Sequence, residues 1–169
     1  MIQNEMKICL WFDHQAVEAV NFYMSIFKNS EIGHISRYGK EGFEFHKKPE
    51  GTVSAIEFSL NQMKFIALNG GPEFRFNEAI SIVVNCETQE EIDHYWDGLT
   101  EGGQEIQCGW LKDKFGLSWQ IVPTLLTKYL STKDNERKSR VEKAFFRMKK
   151  FDIEELTNAY NGIQVSSLK

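Results

Sequence analysis

The apolar positions change period along the chain, and each change marks an element. "KICLWFD" (7–13) is an apolar run of strand length. Asp13 then offers a turn or helix cap. From Gln15 to Phe27 the period lengthens. Ala16, Ala19, Val20, Tyr23 and Phe27 recur at three and four, which predicts a helix. "EIGHISRY" (31–38) predicts the next strand, and "GKEGFEFHKKPEG" (39–51) a polar loop rich in glycine and charge. "TVSAIEFSL" (52–60) alternates, and "NQ" turns it into "MKFIALN" (63–69). "GGPEFRFN" (70–77) breaks the pattern.

The same order then recurs. "EAISIVVN" (78–85) predicts a strand, and Thr88 with Glu91 forms a capping box ahead of a helix. Ile92, Tyr95, Trp96 and Leu99 are its apolar stripe, and Gly102-Gly103 stops it. "QEIQCGWL" (104–111) and "GLSWQIV" (116–122) predict two more strands around the turn "KDKFG". The helices of the two halves match: "AVNFYMSIF" and "EIDHYWDGL" place Phe22-Tyr23 against Tyr95-Trp96 at an offset of 73 residues. Such repetition predicts two βαβββ modules, residues 5–70 and 77–123, within a single domain. Residues 124–162 read as helices. "LLTKYL" is short, 135–150 is amphipathic with Val141, Ala144, Phe145 and Met148 as its stripe, and Asp152 with Glu155 caps the last.

Composition adds bounds. The 169 residues are 41% hydrophobic and 26% charged, as in soluble globular proteins, and a chain of this length buries roughly 70% of its unfolded surface. Thirteen phenylalanines and four tryptophans suit a large core or an aromatic-lined pocket. A net charge of −4 argues against nucleic acid as partner. Residues 133–150 carry eight Lys/Arg against three Asp/Glu. Those charges surround an apolar stripe, so a solvated helix packed on the body or on a dimer partner is expected. No apolar leader and no run approaching about 18 apolar residues is present, so no membrane partner is expected. Three isolated cysteines, Cys9, Cys86 and Cys108, fit a reducing cytoplasm.

Four segments carry a resemblance: "CLWFD…FYMSIF", "IALNGGPEFRFNEAIS", "NCETQEEIDHYWD" and "CGWLKDKFGLSWQIVP". Together they resemble the PhnB-like branch of the vicinal oxygen chelate superfamily, over residues 5 to about 160. That superfamily also contains glyoxalase I, bleomycin-resistance proteins and extradiol dioxygenases. The resemblance implies an α+β fold of paired βαβββ modules forming a cupped mixed sheet (the glyoxalase/bleomycin-resistance fold), here with a C-terminal helical extension. It also implies a homodimer and a ligand cup. Members often carry the label demethylubiquinone 3-methyltransferase. The sequence has no Gly-rich loop after its first strand, nor a following acidic residue for the ribose of a methyl donor.

Metal-dependent members of the superfamily use one His, Glu or Gln from each of four strands, two per module. The corresponding positions are read as Met6 (or Lys7 if the register slips), Ala67, Ala79 and Gln120. Only Gln120 offers a suitable donor atom. No metal and no other cofactor is therefore expected. Gln120 either pairs with neighbours in a filled cup or meets a ligand through its amide.

Strand alternation from these positions predicts the cup wall. It holds Ser118 and Val122, Ser81 and Val83, Phe65 and Asn69, and Ile8, Leu10 and Phe12. The third strand adds Ala55, Glu57 and Ser59, or the opposite parity if the register is off by one. Phe74, Arg75 and Phe76 form either a lip or a plug, and residues 39–51 either a lid or a charged linkage. Catalytic candidates are Glu57, a base if burial raises its pKa, and Cys108, a nucleophile if a basic neighbour lowers its own. Their alternatives are an exposed strand residue and a buried structural thiol. Asp113 is expected to shape its turn. The expected function is metal-independent binding of a small, partly apolar molecule by Gln120, Asn69, Ser81, Phe65, Phe12 and Phe76. The alternative is an enzyme of the same superfamily.

Overall fold

The computed structural model describes residues 5–163. They form two compact units that divide between Phe76 and Asn77, at the break seen in the apolar pattern.

The first unit runs β1 (Ile8–Phe12), α1 (Ala16–Ile26), β2 (Ser30–Arg37), α2 (Phe43–His46), β3 (Val53–Leu60) and β4 (Met63–Asn69). Its sheet has the order β1-β4-β3-β2, with β1 parallel to β4 and the other pairs antiparallel. The helix buries Ala16, Ala19, Val20, Tyr23 and Ile26, the stripe set by the three-and-four spacing. Beneath it lie Leu10, Phe12, Ile56, Phe58, Leu60, Phe65 and Ala67, all buried. Tyr23, Phe58 and Phe65 stack in succession, at 6.2 and 5.1 Å between centroids.

Asp13 does not cap α1. The buried Asn69, at the end of β4, does so from 53 residues away. Its Oδ1 accepts from Ala16 N at 2.9 Å, and its Nδ2 donates to the Val53 carbonyl at 3.0 Å. The loop expected over 39–51 contains the one-turn α2, whose His46 ring stacks on Tyr38 at 4.3 Å.

The second unit runs β5 (Ile82–Cys86), α3 (Gln89–Thr100), β6 (Gln104–Glu105), β7 (Trp110–Lys112), β8 (Ser118–Pro123), α4 (Thr124–Leu130), α5 (Asn135–Phe145) and α6 (Ile153–Asn161). Its sheet order, β5-β8-β7-β6, repeats that of the first. Thr88 caps α3 as expected, accepting from Glu91 N. Trp96, Ile92 and Leu99 are buried where Tyr23, Ala19 and Ile26 are buried in α1.

Two strands differ from expectation. β5 starts at Ile82, leaving 78–81 outside it. The stretch 104–111 is not one strand but β6 and β7, paired antiparallel. Cys108 (φ 61°) and Gly109 (φ 78°) turn the chain between them. Gly109 is required there, because a Cβ would lie 2.4 Å from the Phe151 ring and 2.8 Å from the Ile121 carbonyl oxygen.

The helices after β8 are tied to their own unit. Cys108 N and Gly109 N donate to the carbonyls of Met148 and Lys149 at 2.8 Å. The Gln89 amide bridges the Phe151 carbonyl and Ile153 N. Lys150 pairs with Asp93 and Asp97 on α3. α5 is shorter than the expected 135–150, and Asp152 caps α6 as expected.

Candidate functional site

Each sheet has one face against its helix and one turned away, and strand alternation decides which residues reach the second. In the first unit the free face carries Lys7, Cys9 and Trp11 on β1 and just before it, Ile66 and Leu68 on β4, and Ala55, Glu57 and Ser59 on β3. Of the residues between them, Leu10, Ala67, Ile56 and Phe58 are buried on the α1 side and Ile8 is half-buried. Phe12, Phe65 and Asn69, expected on the open wall with Leu10, lie instead on the α1 face. Phe65 and Ala67 are in register with Phe58 and Ile56 of β3, and Leu10 and Phe12 with Ala67 and Asn69, so alternation carries the whole set to the buried α1 face. Asn69 spends its amide on the α1 cap and on Val53. Phe76 is half-buried, edge-on to Phe12 at 5.3 Å.

Trp11 and Lys7 take the vacated places on that face. The Trp11 indole donates to the Gly71 carbonyl at 2.9 Å and lies edge-on to the exposed Phe74 at 4.9 Å. Gly70 makes room for it, since a Cβ there would lie 2.2 Å from the indole. Lys7 Nζ meets Glu57 at 2.9 Å. That ion pair holds the Glu57 carboxyl below the usual glutamate range and the Lys7 ammonium above its own. The direction is opposite to the raised pKa a general base at this position would need. A pocket of about 160 Å³ beside the pair is lined largely by charged side chains, among them Lys7, Glu31, Glu57 and Lys64.

In the second unit the free face carries Ser81 just before β5, Val83 and Asn85 along it, Trp110 and Lys112 on β7, and Ser118, Gln120 and Val122 on β8. Gln120 stands beside Val83 and Trp110 in register. Its Nε2 donates to Ser81 Oγ at 2.8 Å, and among the described residues no hydrogen bond to its Oε1 is seen. Two residues earlier, Ser118 is fully buried and its Oγ has no hydrogen-bond partner among the described residues. Lys112 pairs with Glu78. Alternation from Gln120 thus puts Ser81, Val83, Ser118 and Val122 on one face, as expected. Trp110 and Lys112 were hidden by reading 104–111 as one strand.

The remaining candidates are structural. Burial pushes the Cys108 thiol up, away from a reactive thiolate, and its Sγ points to the Phe145 carbonyl at 3.8 Å. Asp113 is buried. Its Oδ1 accepts from Phe115 N and Leu117 N, and its Oδ2 from Trp119 Nε1, which shapes the turn leading into β8.

The donor set does not fit the divalent ion of the superfamily. Met6 is 91% exposed, Ala67 faces α1, and Ala79 lies before β5 begins. On the free faces near these positions, Lys7 is an ammonium already paired and Ile66 has no donor atom, while Ser81 accepts the Gln120 amide; Gln120 alone offers a ligand of the kind the metal-dependent members use. Among the described residues no three His, Cys, Asp or Glu side chains are grouped to hold a metal. None of these residues has a helix long and apolar enough to cross a membrane.

Comparison with known proteins agrees with this architecture. No curated protein matches the chain. A PhnB protein from Bacillus cereus, described as a 3-demethylubiquinone-9 3-methyltransferase, is 37% identical. The match covers 72% of this chain and 100% of that one, with a TM-score of 0.63. The fosfomycin resistance protein FosX from Listeria monocytogenes, in a monoclinic crystal form, matches at 18% identity and a TM-score of 0.53, covering 78% of this chain and 100% of that one. Protein PA1353 from Pseudomonas aeruginosa matches at 17% and 0.55, covering 70% and 98%. These last two show the fold alone. The family model of 3-demethylubiquinone-9 3-methyltransferase matches residues 4–122, ending within β8 and leaving α4 to α6 outside it. The chain therefore belongs to the 3-demethylubiquinone-9 3-methyltransferase family, the PhnB-like branch of the vicinal oxygen chelate superfamily.

Proposed function

We propose that the chain binds a small, partly apolar molecule on the free face of its second sheet, without a metal ion. The observation that carries this reading is the Gln120–Ser81 hydrogen bond. It orients an amide with one open acceptor beside Trp110, Val83 and Val122. A flat aromatic surface, short aliphatic side chains and one fixed polar group are what a small-molecule site needs for affinity and orientation. The unpartnered Ser118 hydroxyl on the same strand face supports it. The first sheet is the weaker candidate, because its polar groups are consumed by the Lys7–Glu57 pair beside a small charged pocket.

The test is a thermal-shift screen of small aromatic compounds bearing N–H or O–H donors, such as amides and phenols, in the presence of a chelator. It uses wild type and Gln120→Ala. Saturable stabilisation of wild type in chelator, weakened about tenfold in the variant, is expected for loss of one oriented hydrogen bond. Stoichiometric metal in the purified protein, lost to chelator with a falling Tm, overturns metal independence. Equal binding by both proteins overturns the site.

A further inference from the structure

The helices α5 and α6 lie beyond the family match, so the family does not account for what they do. Between them is an open groove of about 680 Å³. Its α5 wall carries Arg140, Lys143 and Arg147, and its other wall Asp152, Glu154 and Glu155. The floor includes Ala144 and Ala159, whose small side chains let another backbone come close. The exposed Ile163 adds apolar surface at one end.

Among the described residues no ion pair joins the two walls. Arg140 is turned to the end of α6, where it donates to the carbonyls of Ala159 and Tyr160. Lys143, Arg147, Glu154 and Glu155 are exposed. Ion pairs do form elsewhere on and beside these helices: Lys138 with Glu142, Lys149 with Glu105, and Lys150 with Asp93. Charges facing the groove are left for something else.

A polyanion would meet three carboxylates along one wall, and a polycation the three basic groups along the other. The groove suits a partner that offers both signs side by side. A two-fold related copy offers them when the axis runs along the groove, since the basic row of each copy then faces the acidic row of the other. We infer that the α5–α6 groove is a self-association face on which the basic row of one copy meets the acidic row of a second.

The test is sedimentation equilibrium over a range of concentrations with wild type, Lys143→Glu/Arg147→Glu and Glu154→Lys/Glu155→Lys, folding being checked by circular dichroism. Neutral glutamine versions replace any reversed variant that does not fold. Each reversal is expected to weaken association at least about tenfold, as is raising salt to about 0.5 M. An equimolar mixture of the two reversed proteins restores it, because their walls are then complementary on both sides. Self-association that neither reversal changes, or a wild type that stays monomeric throughout, overturns the proposal. So does retention of a DNA duplex lost in the Lys143/Arg147 variant while self-association persists.

Discussion

Replacing Asp113 is the sharpest test of how this chain builds the strand that carries Gln120. The carboxylate accepts hydrogen bonds from Phe115 N at 2.9 Å, Leu117 N at 3.1 Å and Trp119 Nε1 at 2.9 Å. Leu117 and Trp119 are each 1% exposed, so their donors have no ready water, whereas half-buried Phe115 can turn to solvent. A buried donor left without a partner costs about 1–3 kcal/mol. Two such donors, partly relieved by water entering the vacated space, put Asp113→Ala at about 3–4 kcal/mol. That is a large share of a typical stability of about 5–15 kcal/mol. Asp113→Asn keeps the two backbone bonds and turns an amide donor against Trp119 Nε1, a cost of about 1–2 kcal/mol. Urea unfolding measures both. With a slope of about 1–3 kcal/mol per molar, the midpoint falls by one to a few molar in Asp113→Ala and by less in Asp113→Asn, at constant slope. A loss below about 1 kcal/mol for Asp113→Ala, or a greater loss for Asn than for Ala, would refute the reasoning.

Other perturbations follow from the same contacts. Gly109→Ala forces a Cβ onto Phe151 and the Ile121 carbonyl at a positive φ, so a loss of about 3 kcal/mol and faster protease cleavage after residue 123 are expected; an unchanged Tm contradicts this. Asn69→Ala removes the cap of α1 and frees the Val53 carbonyl, a loss of about 2 kcal/mol by denaturant unfolding, and less than 0.5 would mean the cap is idle. Lys150, with help from Gln89, holds the Asp93 carboxyl below its ordinary 3.8. The stabilising effect is present above that value and disappears as pH falls through the lowered one, so Asp93→Asn flattens the dependence of Tm on pH below about 4. An equally steep acid limb in Asp93→Asn would show that the contact contributes nothing.

Element order was readable because local rules sufficed for it. The α1 and α3 stripes, the Thr88 and Asp152 caps and the break at 70–77 depend on residues close in sequence, and all recur in the structure. Reading 104–111 as one strand failed because its turn is held by a carbonyl pair 40 residues later, those of Met148 and Lys149. A still longer separation, 53 residues, hid the α1 cap, which Asp13 suggested and Asn69 supplies.

The candidate site divides along the same line. Alternation within β8 and across to β5 was enough to group Gln120 with Ser81 and Ser118, since a strand's period of two needs only one correctly placed residue. For β1 and β4 the starting residue was wrong. Leu10, Phe12, Phe65 and Asn69 went to the open wall, although their neighbours Trp11, Ile66 and Leu68 are nearly as apolar. An apolar run buried on one side and half-covered on the other does not announce its phase.

By itself, then, the sequence determined the two-fold repeat, the family, the helical extension and the identity of the groups available for chemistry, because periodicity and motif are properties of neighbouring residues. Which of those groups are free was decided by the tertiary structure. Lys7 finds Glu57, Asn69 finds Ala16, and Asp113 finds Trp119 only when the chain closes on itself. A polar side chain is a ligand contact or a structural bond according to what stands within about 3 Å of it, and that distance is set by packing rather than by position in the chain.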